Sequence, residues 1–400
     1  MTAKILTTSL IVILGQTSSL AFAQTPTSEP ATNLTIPLPT PAPTAAPAPA
    51  PVPAATGIES IKVFGDLRYR HQSETQEPKQ ERDLERLQAR LGLNAQVEDN
   101  LKATLRLMTG SGATSGNQTL GDEKAPGMPR RTIGVDLAYF DYMAIKDLDF
   151  YGGKMPQPFI YAGKNQMLLD RDVTPEGLAA KYSVGLIERE LDFFVQGGAF
   201  WIRENYDDQF GEEKTDNMLN GGQLGLLWKP NDWTVTVGYG SFAFTGLKDI
   251  PPTNITASGK ANGNTLDING NYPTNFDIQQ EFLEVKKKVG TVDVTAFFER
   301  LENTDADALN VAHTYGVQLG YKAWAFTWSY EEVQKDAVVG LFTDSDFGGG
   351  VTSSRGQVWS LAYKFTKKVT MQYTVYNNEN AIDVAPTKYD RSHLDLSMTF

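Results

Sequence analysis

The sequence predicts an all-β chain that closes into a transmembrane antiparallel β-barrel of about 16 strands. Three observations carry this. At the C-terminus, Leu394, Leu396, Met398 and Phe400 alternate with His393, Asp395, Ser397 and Thr399, which gives a strand one apolar and one polar face. At the N-terminus, Met1 to Ala23 has the layout of an export signal. Between them, period-two stretches recur about every 20 residues, joined by very short polar turns and longer polar loops. Short turns on one rim and long loops on the other are the outer-membrane pattern, with the short side periplasmic. An even strand number returns both ends of the barrel to the periplasm, and 14 or 18 strands fit the same pattern.

In chain order, the first element is residues 1–23. One charge, Lys4, precedes an apolar core from Ile5 to Leu14, and Ala21-Phe22-Ala23 stands before Gln24. That order describes a cleavable secretory signal, cut after Ala23. A membrane anchor needs about 20 apolar residues, whereas Gly15 to Ser19 is polar. Residues 24–56 are Pro, Ala and Thr with almost no charge. Proline lacks the ladder donor and favours polyproline II, so this segment is a semi-rigid periplasmic spacer. A plain linker and a contact with peptidoglycan are both open to it. The barrel is expected over 57–400.

Clear strands include Lys102 to Leu107, Thr234 to Tyr239, and Ala323 to Tyr330 with Trp324, Phe326, Trp328 and Tyr330 on one face. Tight turns are expected at Glu98-Asp99-Asn100, Lys146-Asp147, Glu188-Arg189-Glu190, Pro230-Asn231-Asp232, Val289-Gly290, Lys322-Ala323 and Thr366-Lys367-Lys368. The longest loop runs from about Gly246 to Thr274. The six tryptophans sit near strand ends or on outward faces, as interfacial girdles do. The last strand, with Leu394, Leu396, Met398 and Phe400, seals against the first. It also looks like the sorting signal read by the outer-membrane assembly machinery.

A barrel of this size encloses water, so function is expected on the inward polar face. Leu67 and Tyr69 face out, which turns Arg68 and Arg70 inward. The second strand contributes Arg86, Gln88 and Arg90, and the third Lys102, Thr104 and Arg106. Strands lie about 4.8 Å apart, so these side chains form a basic ladder that attracts anions unless acids such as Asp66 and Glu85 neutralise it. The third long loop, Pro156 to Pro175, mixes the apolar anchors Phe159, Ile160 and Tyr161 with charges. It is expected to fold inward as a constriction carrying Lys164, Asp170, Arg171 and Asp172. Carboxylates facing a basic wall set up a transverse field that admits small polar solutes; solvated surface charges are the other reading of the same residues.

Other chemistry finds little support. The chain has no cysteine and only three histidines, which excludes disulfides and thiolate metal sites. Its net charge of −12 argues against general nucleic-acid binding. No serine elbow, phosphate-binding glycine loop or zinc motif is present. Asp344-Ser345-Asp346-Phe347-Gly348 lacks the later bidentate glutamate of a calcium loop and reads as a flexible extracellular loop. No catalytic residue, metal or cofactor is therefore expected.

The stretch Phe64-Gly65-Asp66-Leu67-Arg68-Tyr69-Arg70, then Arg86-Leu87-Gln88-Ala89-Arg90-Leu91-Gly92, resembles the opening of the putative-porin family of Gram-negative outer membranes. Asp136-Leu137-Ala138-Tyr139, Gly153 to Phe159, Asp170-Arg171-Asp172 and Pro175-Glu176-Gly177 are further similarities. The resemblance implies a general diffusion channel for small hydrophilic solutes and ions, often a homotrimer, with an inward third loop. The rival reading is a structural or adhesive barrel with a plugged lumen, tethered through the spacer.

Overall fold

The computed structural model describes residues 58–400 apart from 111, 123, 125, 207–214 and 257. The expected signal at 1–23, its cleavage after Ala23 and the 24–56 spacer lie outside the described residues. Sixteen strands make the wall. They are β1 (Ser60–Gln76), β2 (Arg82–Glu98), β3 (Leu101–Thr109), β4 (Ile133–Ile145), β5 (Leu148–Lys154), β6 (Glu176–Ile187), β7 (Leu191–Arg203) and β8 (Asn217–Trp228). They continue as β9 (Trp233–Thr245), β10 (Phe276–Val289), β11 (Val292–Asn303), β12 (Val311–Tyr321), β13 (Trp324–Val333), β14 (Ser354–Lys364), β15 (Val369–Asn380) and β16 (Thr387–Thr399). A two-residue strand, Gln118–Thr119, belongs to the second loop and leans on β2. Every wall strand is antiparallel to the next, and β16 pairs with β1. Closure leaves no sheet edge, the condition for strands to cross lipid.

At the seam, Arg68 lies opposite Ser397, Arg70 opposite Asp395 and Gln72 opposite His393. Phe400 exchanges backbone hydrogen bonds of 3.0 and 3.3 Å with Gly65. A Cβ on residue 65 would stand 2.6 Å from the Phe400 ring, so only glycine lets the terminal aromatic lie over the first strand.

The seven short connections all fall on one rim: 99–100, 146–147, 188–190, 229–232, 290–291, 322–323 and 365–368. Asp147, Arg189, Asn231, Gly290 and Lys322 there have φ between 53° and 63°, the left-handed conformation that tight hairpins need. The longer connections lie on the opposite rim, the longest being 246–275. Outward faces carry Trp201, Trp228, Trp233, Trp324 and Trp359, each more than 40% exposed. Trp328 touches Trp359 with ring centroids 6.0 Å apart.

The core sits inside the barrel. The third loop (155–175), the fifth (246–275) and the seventh (334–353) fold inward and bury Met155, Phe159, Met167, Leu168, Leu169, Leu247, Tyr272 and Ala337 to Val339. They pack on inward side chains of the wall: Phe200, Leu219, Phe242, Phe244, Phe276, Ile278, Leu301, Ala312 and Val333. Phe159 meets Phe242 edge-on at 4.8 Å and Phe200 at 6.1 Å. Two expectations are corrected here. The inward face is not polar throughout, and Asp344 to Gly348 is not an external loop but part of the inward seventh loop, with Phe347 and Gly348 buried.

Candidate functional site

Alternation on β16, β1 and β2 turns a charged stripe toward the lumen. Arg70 is gripped by Asp395 through two bonds of 2.6 and 2.9 Å, and its third nitrogen lies 3.0 Å from Asp346. Arg391, on β16, reaches Asp346 at 3.0 Å and Glu74 at 3.0 Å. Arg90 pairs with Asp66 at 2.8 Å and lies 3.9 Å from Asp172. Two guanidiniums of this stripe meet no carboxylate at ion-pair distance among the described residues. Arg68 donates to the amide of Asn117 at 2.8 Å, and Arg86 to Gln72 at 3.1 Å. The wall is thus a mixed ladder, the second of the two arrangements open from the sequence, with Asp66 among the acids that offset the guanidiniums. Opposite charges in register neutralise most of it.

Three loops cover this stripe. Asn117 comes from the second, Asp170 to Asp172 from the third, and Asp344 to Asp346 from the seventh. Together with the wall they enclose a cavity of about 330 Å³ lined by Arg68, Arg70, Arg90, Arg171, Asp172, Asp346 and Asp395. Asp172 accepts from Gln88 and from the Gly116 amide, each at 3.3 Å. Asp170 behaves differently from expectation. Its carboxylate accepts the amides of Ser345 and Asp172 at 2.8 Å, and its own amide donates to Phe342 at 2.6 Å. It fastens the third loop to the seventh and is only 3% exposed. Burial, then the nearby Asp344, push its carboxyl up to about 8. Asp344 is also raised, by burial and then by Asp346. For Asp346, burial works upward too, but His393, Arg70 and Arg391 more than reverse it and hold the carboxyl well below the usual range.

The opposite half of the wall anchors the third loop. Gln223 exchanges two 2.8 Å bonds with the Ile160 backbone. Glu299 accepts from the Ala162 amide and from Asn165, both at 2.8 Å, and from Gln280 at 2.9 Å. Gln318 donates to the Gly163 carbonyl at 2.8 Å. Phe194, Phe282 and Phe297 clamp Ala162 from the lumen side of their strands. Gly163 has φ 62°, and a Cβ there would stand 2.5 Å from the Phe297 ring. None of these anchors was read from the sequence, although Gln196, Gln223, Gln280 and Gln318 all sit at inward positions of apolar-outward strands.

The charges expected to act together are therefore divided. Arg68, Arg70, Arg90, Arg171 and Asp172 meet around the cavity, with Asp170 at its edge. Arg86 stands beyond Gln72, Arg106 is tied to Asp136, and Lys102 is exposed near the short-turn rim. Lys164 ends the 3-10 turn Ala162–Lys164 on the anchoring half, away from Asp172. Arg391 and Glu74 belong to the site without having been singled out, and Asp346 belongs to it although its segment read as an external loop. Asp346 could not have been found from spacing, because it meets Arg70 across 276 positions of chain.

The family described as Putative porin matches residues 53–265 and 253–400. The fold is similar to that of Salmonella typhi OmpF in complex with daunomycin, at 14% identity over 85% of this chain and 97% of that one, with TM-score 0.51. It is also similar to the high-pH structure of Pseudomonas putida OprB, at 13% identity over 85% and 94%, with TM-score 0.56. At such identities the likeness speaks to fold alone. No curated protein sequence matches the chain.

Proposed function

The chain belongs to the Putative porin family, and on that premise we propose that small hydrophilic solutes and ions cross it along the charged half of the lumen. The protein is an outer-membrane porin, a water-filled β-barrel for passive diffusion. The observation that supports this route is the division of the lumen: loops pack on the apolar half and leave a cavity of about 790 Å³ beside Phe200, Leu219 and Phe244, whereas the cavity against β16, β1 and β2 is lined mainly by charged and polar side chains. A mixed field of guanidiniums and carboxylates orders water and penalises apolar solutes.

In this reading Arg68, Arg70 and Arg90 form the working face of the wall. Arg86 extends it toward the outside, and Lys102 and Arg106 extend it toward the periplasm. Arg171 and Asp172 of the third loop face them across the narrowest point. Export by a signal cleaved after Ala23, a 24–56 spacer with a plain-linker or peptidoglycan-contacting role, and assembly through the Leu394-Leu396-Met398-Phe400 strand complete the proposal. So does a homotrimer in the membrane. Chemistry plays no part in it: the site orients and sorts solutes.

Recording from the purified protein in a planar bilayer tests the proposal. Stable open conductance supports it. A folded barrel with no conductance supports a plugged structural barrel.

A further inference from the structure

The strands alone do not balance the charge of the wall. Six guanidiniums (Arg68, Arg70, Arg82, Arg86, Arg90 and Arg391) face three strand carboxylates, Asp66, Glu74 and Asp395. The remaining acids come from loops, and the two that touch the wall are unequal. Asp172 stands 3.9 Å from one guanidinium. Asp346 stands 3.0 Å from two, Arg70 and Arg391, and 3.7 Å from His393. Its amide is in turn held by Asp344 at 2.8 Å, and the neighbouring Ser345 is tied to Asp170. The seventh loop is thus built to hold one carboxylate between two strands of the wall.

We propose that Asp346 sets the ion preference of the channel by cancelling the guanidinium excess of the β16–β1–β2 wall. With it in place the passage discriminates weakly by charge; without it the passage selects anions. The inference rests on the diffusion-channel reading and assigns the balance to the seventh loop, whereas the third loop contributes the weaker counter-charge. The Nε atoms of Arg68, Arg86 and Arg391 are buried without hydrogen-bond partners. Loss of the Asp346 carboxylate leaves the guanidinium excess of the wall uncancelled.

Reversal potentials in a potassium chloride gradient across a planar bilayer test this. Asp346→Asn is expected to raise the chloride-to-potassium permeability ratio about threefold, the weight of one charge a few ångströms from a passing ion in a water-like medium. Asp346→Glu is expected to keep the wild-type ratio, and adding Arg68→Gln to Asp346→Asn to bring the ratio back toward it. An open Asp346→Asn channel with an unchanged ratio, or one shifted toward potassium, overturns the proposal. So does an Asp346→Glu channel that shifts as far as Asp346→Asn. If Asp346→Asn fails to fold, Arg391→Gln reads the same balance from the other side: a shift toward potassium supports it, and none overturns it. Absence of any conductance in the wild-type protein defeats the diffusion-channel reading instead, a result distinct from an open channel with unaltered preference.

Discussion

The two halves of the lumen obey one alternation rule and reach opposite ends. On β16, β1 and β2 the inward positions are Arg391, His393, Asp395, Arg68, Arg70, Gln88 and Arg90, and a cavity lies in front of all of them but Arg391. On β7 to β12 the inward positions are Phe194, Phe200, Gln223, Phe242, Gln280, Phe297 and Glu299, and loops cover them. A strand pattern alone does not make a pore wall. An inward residue becomes pore or anchor according to whether a loop finds a partner in it.

The anchoring half is the one where a single substitution costs most. Phe159→Ala removes an aromatic that packs edge-on to Phe200 and Phe242. It is expected to destabilise the barrel by about 3 kcal/mol, measured by urea unfolding in detergent, and to raise open-channel noise. A stability unchanged within error contradicts the view that this half is a core. Glu299→Ala orphans the Ala162 amide, Asn165 and Gln280. A loss of about 2 kcal/mol is expected, together with a larger and less steady conductance as the third loop comes free.

Raising the pH probes the junction between the halves. The Asp170 carboxyl lies near 3.9 in an unfolded chain and is raised to about 8 in the fold, by burial and then by Asp344. The folded chain therefore holds the extra proton. The stabilising contribution is complete below about pH 4 and is lost as pH rises through 8. Between pH 7 and 9 the loss is expected to be on the order of 1 kcal/mol. Loosening of the latch between third and seventh loops should appear in proteolysis of residues 155–175 at pH 9. Equal resistance at pH 7 and 9 would contradict it.

Much of the wall was legible in the sequence because its signals are local. Pro230-Asn231-Asp232 and Lys146-Asp147 mark turns by residue type, and Asn231 and Asp147 take the left-handed conformation expected of such residues. The seam was legible because Leu394 to Phe400 alternates without a break, and in the fold that strand sets Asp395 opposite Arg70. The anchors were not. On β9, Val235, Val237 and Tyr239 face lipid, while Phe242 and Phe244 face the core. The apolar phase switches within one strand as the inward side passes from water to packed loops. Periodicity cannot say which face is inside once both are apolar. Nor could the part of Asp346 in neutralising the wall be read, since it reaches Arg70 only after the seventh loop folds inward.

If solutes pass along the charged half and not the anchored one, the two halves differ in their access from the pore. The chain has no native cysteine, so single thiols report access cleanly. Ser397→Cys places a thiol on the inward face of β16, bordering the cavity; Thr314→Cys places one on β12, where the side chain is 1% exposed. With a charged methanethiosulfonate added during planar-bilayer recording, the account expects stepwise loss of current through Ser397→Cys and none through Thr314→Cys. Block of Thr314→Cys with Ser397→Cys unaffected would contradict it.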